Sequence, residues 1–240
     1  MRSFLLIVIS LVSISSSLSA FDKTYTDYNQ VINDNVKNGR VDYPQIRKDI
    51  HNLVRFLNEA SRVSREEFGG WHQNEQLAFL INYYNAATIK LVLNNYPIKS
   101  VKDIRSQHDK KFINLFGKKV SLEYMEQELL RKNYHDPRIH FAILRGTVSC
   151  PPLLSYAYTA EMLDELLVKQ AELFLRKSPE KNYYDAEKNR LYVSLIFKWN
   201  KKDFTNHSGS VKDYLRKYYS DLPQKFKLKY TKFDWSLNCQ

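Results

Sequence analysis

Residues 74–97 read NEQLAFLINYYNAATIKLVLNNYP, and what this stretch becomes decides how the rest of the chain is arranged. Apolar residues fall on nearly every side of a 3.6-residue period. Asn74 is placed to cap the start, and Asn94, Asn95 and Pro97 to stop the end. A helix with no polar face has nothing to offer water, so it must be the buried centre of a domain with other elements packed around it. Two amides interrupt its apolar surface: Asn82 and Asn85 lie three apart on one face, among Leu80, Ile81, Ala86 and Ile89. Left without partners, each would cost about 1–3 kcal/mol. Both must therefore bond to something, either to the backbone of a neighbouring loop or to a reacting group that one of them orients, including an oxyanion.

Working outward towards the N-terminus, 24–43 (TYTDYNQVINDNVKNGRVDY) predicts a short helix ending near Gly39. The next segment, 43–63, predicts a second helix with Ile46, Ile50, Leu53, Val54 and Leu57 on one stripe. Towards the C-terminus, 111–122 (KFINLFGKKVSL) alternates and turns at Gly117, a small hairpin, and Ser121 caps the helix LEYMEQELLRKN. IHFAIL, 139–144, is short, apolar and β-branched, and predicts a buried strand. The segment 160–177 is amphipathic, with Thr159 as cap and Met162, Leu163, Leu166, Leu167, Ala171, Phe174 and Leu175 inward. A hairpin over 183–197, a helix over 211–222 and a last strand over 225–235 complete the chain. In that strand Lys225, Lys227 and Lys229 alternate with Phe226, Leu228 and Tyr230, as on a solvated edge. The expected fold is α+β: one helix-rich domain over 21–240 with a small, mostly antiparallel sheet.

The first twenty residues, MRSFLLIVISLVSISSSLSA, stand apart from this pattern. Arg2, an apolar run and then small residues have the layout of a secretory signal peptide, cut after Ser19 or Ala20. The protein is therefore expected to be exported, periplasmic or secreted, without a transmembrane segment. Removing the signal takes away one basic residue, so the excess charge falls only from +11 to +10. In an exported protein that excess points away from nucleic acid and towards peripheral contact with an anionic surface, or simply to a soluble basic exterior.

The strongest chemical signal lies at 138–158, RIHFAILRGTVSCPPLLSYAY, where His140 and Cys150 stand ten apart and two prolines follow the cysteine. Pro151 turns Cys150 out of helical conformation and can itself open a helix. A thiol at such a helix N-terminus, near Arg145, would be biased towards thiolate and could use His140 as base. Five extended residues span about 17 Å, so the two can meet only if the chain reverses near Arg145–Gly146. Two other readings of Cys150 stand beside this one: an inert buried thiol, and a disulfide with Cys239, which export would favour. His51, His72, His108, His135 and His207 show no metal-ligand spacing and neither cysteine belongs to a CxxC pair, so no metal or other cofactor is expected. Glu126 and Glu128 read as solvated helix charges. Trp71, Trp199 and Trp235 read as core closures, or as a cluster able to stack a sugar or peptide.

In order and spacing, GRVDYPQIRKDIHNLVRFLNEAS, NEQLAFLINYYNAATIKLVL, DPRIHFAILRGTVSCPPL, IFKWNKKDF and KFDWSLN resemble the family of uncharacterised domains called DUF547. The resemblance covers roughly 39–238 and rests most on Asn82 to Asn85 and on the His-to-Cys-Pro-Pro segment. It implies a site there rather than a reaction. Where it leads one to expect a cysteine ahead of Gly146, this chain has Arg145, which removes any mechanism built on two neighbouring thiols. Two functions follow as expectations. One is a cysteine-dependent hydrolase or acyl transferase with Cys150 as nucleophile, His140 as base and Asn82 or Asn85 orienting, although two prolines deny it the backbone donors directly after the cysteine. The other is a non-catalytic binding module for an exported peptide, glycan or protein partner.

Overall fold

The computed structural model describes residues 20–106 and 109–240; the proposed signal segment up to Ser19, and His108, lie outside the described residues. Gln73–Asn95 forms one helix (α5), and sixteen of its residues, Asn82 and Asn85 among them, are buried. Its cap is not Asn74: the chain turns in at His72, whose backbone N–H donates to Glu75 Oε2 at 2.8 Å. At the other end Asn95 folds its amide back onto the carbonyl of Leu91.

Around α5 pack α1 (Thr26–Asn35), α2 (Tyr43–Lys48), α3 (His51–Arg62) and α4 (Arg65–Gly69). The first helix stops at Asn35 rather than near Gly39. Asn38 and Gly39 both have positive φ (52° and 76°) and form the two-residue turn between β1 (Val36–Lys37) and β2 (Arg40–Val41). Gly39 is further constrained, because a Cβ there would lie 2.2 Å from the Pro152 Cβ. The stripe expected over 43–63 belongs to two helices: Asp49 and Ile50 break it, Asp42 accepts from the Gln45 N–H to start α2, and Pro44 sits in its first turn.

The hairpin β3 (Ile113–Leu115) and β4 (Lys118–Val120) turns at Gly117, as expected. Ser121 then caps a helix by accepting from the Tyr124 N–H at 3.1 Å. That helix is not uniform. One α-turn, α6 (Leu122–Tyr124), passes into a π-helical stretch, Met125–Arg131, and returns to α geometry in α7 (Lys132–Tyr134). Glu126 lies on the buried stripe of this helix with Leu122, Met125 and Leu130.

The segment expected to be a strand begins as one turn of helix, α8 (Ile139–Ala142), and becomes extended only at Ile143. Asp136 and Pro137 are the reason. The carboxylate of Asp136 accepts from the Arg138 N–H, and the carbonyls of Asp136, Pro137 and Arg138 take the next three N–H groups. Amphipathic α9 (Leu163–Arg176) starts after Met162 rather than at Thr159, with Met162 nearly half exposed and the other expected residues buried.

Then follow β5 (Tyr183–Asp185), β6 (Arg190–Val193), α10 (Ile196–Trp199), α11 (Lys201–Ser208), α12 (Val211–Arg216) and β7 (Lys227–Tyr230). β5–β6 is antiparallel and β7 pairs parallel to β6 at the sheet's edge, with Lys227 and Lys229 exposed. The fold is thus α+β and helix-rich, its strands distributed over three small sheets. Two apolar clusters fill it: one surrounds α5, and the other is built on Phe141, Phe174, Phe197 and Phe204. No helix of the described residues is long and apolar enough to cross a membrane.

Candidate functional site

The C-terminal segment joins these parts. The Leu237 N–H donates to the Lys99 carbonyl, that of Asn238 to the Gly146 carbonyl and that of Val41 to the Asn238 carbonyl. Gly146, at φ 69°, makes the turn the sequence suggested there. Beyond it the chain pairs with the C-terminus, Val148 N–H to Ser236 O and Ser149 N–H to Asp234 O. A tight turn with Cys150 N–H donating to the Thr147 carbonyl then delivers the thiol inside.

Cys150 is 1 % exposed and opens no helix. The two prolines continue as extended chain, Leu153 donates to the Gly39 carbonyl, and the next helix begins only at Leu163. The dipole expected to favour a thiolate is therefore missing. Thr147 Oγ1 donates to Sγ at 2.9 Å, and Lys181 Nζ donates to the Cys150 carbonyl. Burial pushes the thiol up from its ordinary value, against the opposing influence of Arg145, the Thr147 hydroxyl and Lys181. Cys150 and Cys239 are both free, so the disulfide considered from the sequence is not formed.

His140, also 1 % exposed, has different partners. Its Nε2–H donates to Asp203 Oδ2 at 2.7 Å, and Asp203 is gripped by both Nε (2.6 Å) and Nη2 (2.9 Å) of Arg131. Nδ1 has no hydrogen-bond partner among the described residues and lies 4.0 Å from Glu126 Oε1. Burial pushes the imidazole below its ordinary value, with Arg145 reinforcing this and Asp203 and Glu126 opposing it, so the ring is neutral at pH 7. Burial also works against the Asp203 and Glu126 carboxylates, but the hydrogen bonds from His140 and Arg131 outweigh it at Asp203 and Arg145 outweighs it at Glu126, so both stay below the ordinary carboxyl range. No hydrogen bond joins the imidazole to the Cys150 sulfur among the described residues. What the two share is Arg145, whose charge acts on both.

Glu126, read from the sequence as solvated, is 5 % exposed and receives both terminal nitrogens of Arg145, at 2.6 and 3.0 Å. The guanidinium's Nε has no partner among the described residues. Arg145 and Trp199 together separate two adjoining cavities. The smaller, about 150 Å³, is walled by Val101, Thr147, Cys150, Phe233 and Trp235. The larger, about 300 Å³, is bordered by Glu123, Glu126, Gln127, Arg131 and Asn200. Trp199 is 47 % exposed, and its ring packs on Phe233 (centroids 4.8 Å apart) and Trp235 (5.7 Å). Trp71 belongs elsewhere, in the core with Phe21, Phe68 and Phe79.

The two amides of α5 act on backbone. Asn85 donates to the Ala142 carbonyl and accepts from the Leu144 N–H, which clamps the residues following His140. Asn82 does the same for Tyr158, whose carbonyl and N–H it engages at 2.7 and 3.0 Å. Of the four residues singled out in the sequence, the structure thus places Cys150 on a cavity wall, His140 behind Arg145 and Glu126, and Asn85 in direct support of the segment between them. Asn82 supports the chain further on. Glu126, Arg131 and Asp203 were missed. The one available signal was IFKWNKKDF, which carries Trp199 and Asp203 within the family-like pattern.

The model of the family described as "Protein of unknown function, DUF547" matches residues 68–175. The resemblance to DUF547 is supported over that stretch, which contains His140, Arg145, Cys150, Glu126 and both α5 amides. No curated protein and no solved structure matches the chain.

Proposed function

We propose that this protein is a binding module of the exported space, and that its ligand occupies the paired cavities on either side of Arg145 and Trp199. The observation that carries this is the half-exposed Trp199, packed at a tilt against Phe233 and Trp235 beside a buried ion pair. Aromatic surface kept partly in solvent at the mouth of a cavity, with a few fixed polar groups beneath it, is the usual composition of a ligand site. The Arg2-plus-apolar N-terminal run supports export, and the basic excess of the chain suits a peptide, glycan or protein partner displayed near an anionic surface.

The cysteine hydrolase or acyl transferase is the second reading, and one observation favours it: Cys150 lines the smaller cavity next to Arg145. Against it stand a thiol raised by burial and a histidine already engaged with Asp203. The two readings separate by experiment. A ligand that shifts the Trp199 and Trp235 indole resonances should bind Cys150→Ala protein as tightly as wild type. Turnover of p-nitrophenyl acetate, present in wild type and abolished in Cys150→Ala, would instead establish the enzyme.

A further inference from the structure

The positive charge of the chain is not spread evenly. Across residues 183–232, twelve lysines and arginines stand against five acidic residues, so this stretch supplies seven of the formal +11. The three-stranded sheet within it gives part of that charge a surface. Its inner face packs Leu191 and Val193 into the second apolar cluster, with Tyr184 and Leu228 partly buried against it. Side chains alternate along a strand, so Tyr183, Arg190, Tyr192, Lys227 and Lys229 share the outer face. The pairing sets them in two cross-strand rows, Tyr183–Tyr192–Lys229 and Asp185–Arg190–Lys227. Asp185 is already matched by Lys188 at 2.8 Å. Lys227 and Lys229 are exposed, as is Lys225 directly before the strand, and none of the three ammonium groups meets a carboxylate among the described residues.

Lysines on an edge strand keep other strands away, which accounts for the ammonium groups and not for the tyrosines beside them. Tyr183 is 41 % exposed, and its ring stacks on that of Tyr192 with centroids 4.8 Å apart and planes 11° from parallel. Neither hydroxyl has a hydrogen-bond partner among the described residues. At the end of β7 Tyr230 is again exposed, with Lys198 Nζ 6.0 Å from its ring centre. Apolar rings with free hydroxyl tips, flanked by lysines that carry their charge on an apolar stem, form the composition that settles at a lipid headgroup layer. A polyanion that stacks its own rings on a protein needs open aromatic faces, and this pair turns its faces on each other. We propose that the outer face of the β5–β6–β7 sheet docks the protein on a bilayer containing anionic lipids, with Lys227 and Lys229 at the phosphates and the Tyr183–Tyr192 pair at the boundary with the acyl chains. The peripheral contact that net charge alone suggests thereby acquires a place, and it does not depend on what the cavities hold.

The test follows residues 20–240, which hold every described element and leave out the apolar N-terminal run that would itself bind lipid, onto sedimented vesicles. These are made of phosphatidylcholine alone or of an equal mixture with phosphatidylglycerol. The mixed vesicles should bind the protein, the neutral ones should not, and binding should weaken as salt is raised. Replacing Lys225, Lys227 and Lys229 together by Gln should lower the affinity roughly a hundredfold, at about fivefold for each charge at the surface, whereas replacing all three by Arg should leave it unchanged. Tyr183→Ser should cost about fivefold. The same loss of charge at Lys111, Lys118 and Lys119, exposed on and beside the β3–β4 hairpin, should cost no more than about threefold. Equal losses from the two Gln triples would mean that overall charge is attracted without a docking face, and would overturn the proposal. So would the absence of binding to the mixed vesicles. Capture by dextran sulfate through the same three lysines, with the vesicles left free, would give the face to a soluble polymer and overturn the bilayer.

Discussion

Asn82 and Asn85 on α5 and the charged set Glu126, Arg131, His140, Arg145 and Asp203 are all held in the interior or at its edge, yet their polar atoms are satisfied in different ways. Each amide mimics a peptide unit, accepting one backbone N–H and donating to one backbone carbonyl. Such pairs secure the chain and leave little for a ligand. The charged set pairs side chain with side chain; it leaves His140 Nδ1 and Arg145 Nε buried without hydrogen-bond partners among the described residues, and Glu126, Arg131 and Arg145 border the larger cavity. The neutral amides hold backbone here, and the charged set borders the cavities in which the ligand is proposed to bind.

The largest effect should come from breaking the charged set at its buried carboxylate. Glu126→Ala leaves the Arg145 guanidinium uncompensated, and urea unfolding should show a loss of about 3–5 kcal/mol. A loss below about 1 kcal/mol would mean that the pair behaves like a surface salt bridge. Next comes the scaffold. Asn85→Leu strands the Ala142 carbonyl and the Leu144 N–H, at about 1–3 kcal/mol each, and Asn82→Leu should cost a similar amount through Tyr158. If either variant altered ligand affinity while unfolding as wild type does, the division between scaffold and site would fail.

Acid should act on the charged set and leave the amide contacts untouched. The folded state holds His140 below its ordinary 6.5, chiefly through burial, so on acidification the unfolded chain takes up that proton first. The associated stability is complete above about pH 6.5 and is lost as the pH falls through the folded value. Glu126 and Asp203, ordinarily 4.5 and 3.8 but depressed here by Arg145 and by the hydrogen bonds from His140 and Arg131 respectively, extend the loss in the same direction at lower pH. Thermal melts from pH 8 downward should show stability beginning to fall just below neutrality, and the Asn85→Leu protein should fall in parallel. A flat profile down to pH 5 would contradict the assigned neutral imidazole. The smallest effect belongs to Glu128, two residues along the same helix, which is half exposed and pairs with Lys132. Glu128→Ala should change stability by no more than about 0.5 kcal/mol.

That contrast also shows what sequence could and could not reveal. α5 was legible because an all-apolar period admits only burial, and the obligation on Asn82 and Asn85 followed from it. The hairpin at Gly117 and the Ser121 cap were legible from local turn and cap chemistry. The turn at Gly146 was legible as a possibility, and the structure gives it positive φ. Glu126 and Glu128 were both read by charge, although helical spacing from Leu122, Met125 and Leu130 puts Glu126 on the buried stripe and Glu128 off it. IHFAIL looked like a strand because its composition was weighed above the Asp136–Pro137 start that bends it into a helical turn. The partner of His140 lies 63 residues away at Asp203, and no local pattern reports a pairing of that range. Cys150 was read through Pro151 as the start of a helix, but the second proline and the bond from Leu153 to Gly39 hold the chain extended.

The central claim is that Cys150 is a wall of the ligand cavity rather than a nucleophile. Native protein treated with iodoacetamide at pH 7.5 and mapped by mass spectrometry tests it most directly, because the partly exposed Cys239 serves as a control in the same molecule. We expect Cys239 to be alkylated first and Cys150 to remain unmodified until the protein is unfolded. Rapid labelling of Cys150 in the native state, suppressed by His140→Ala, would contradict the claim and restore the thiol as the reactive centre.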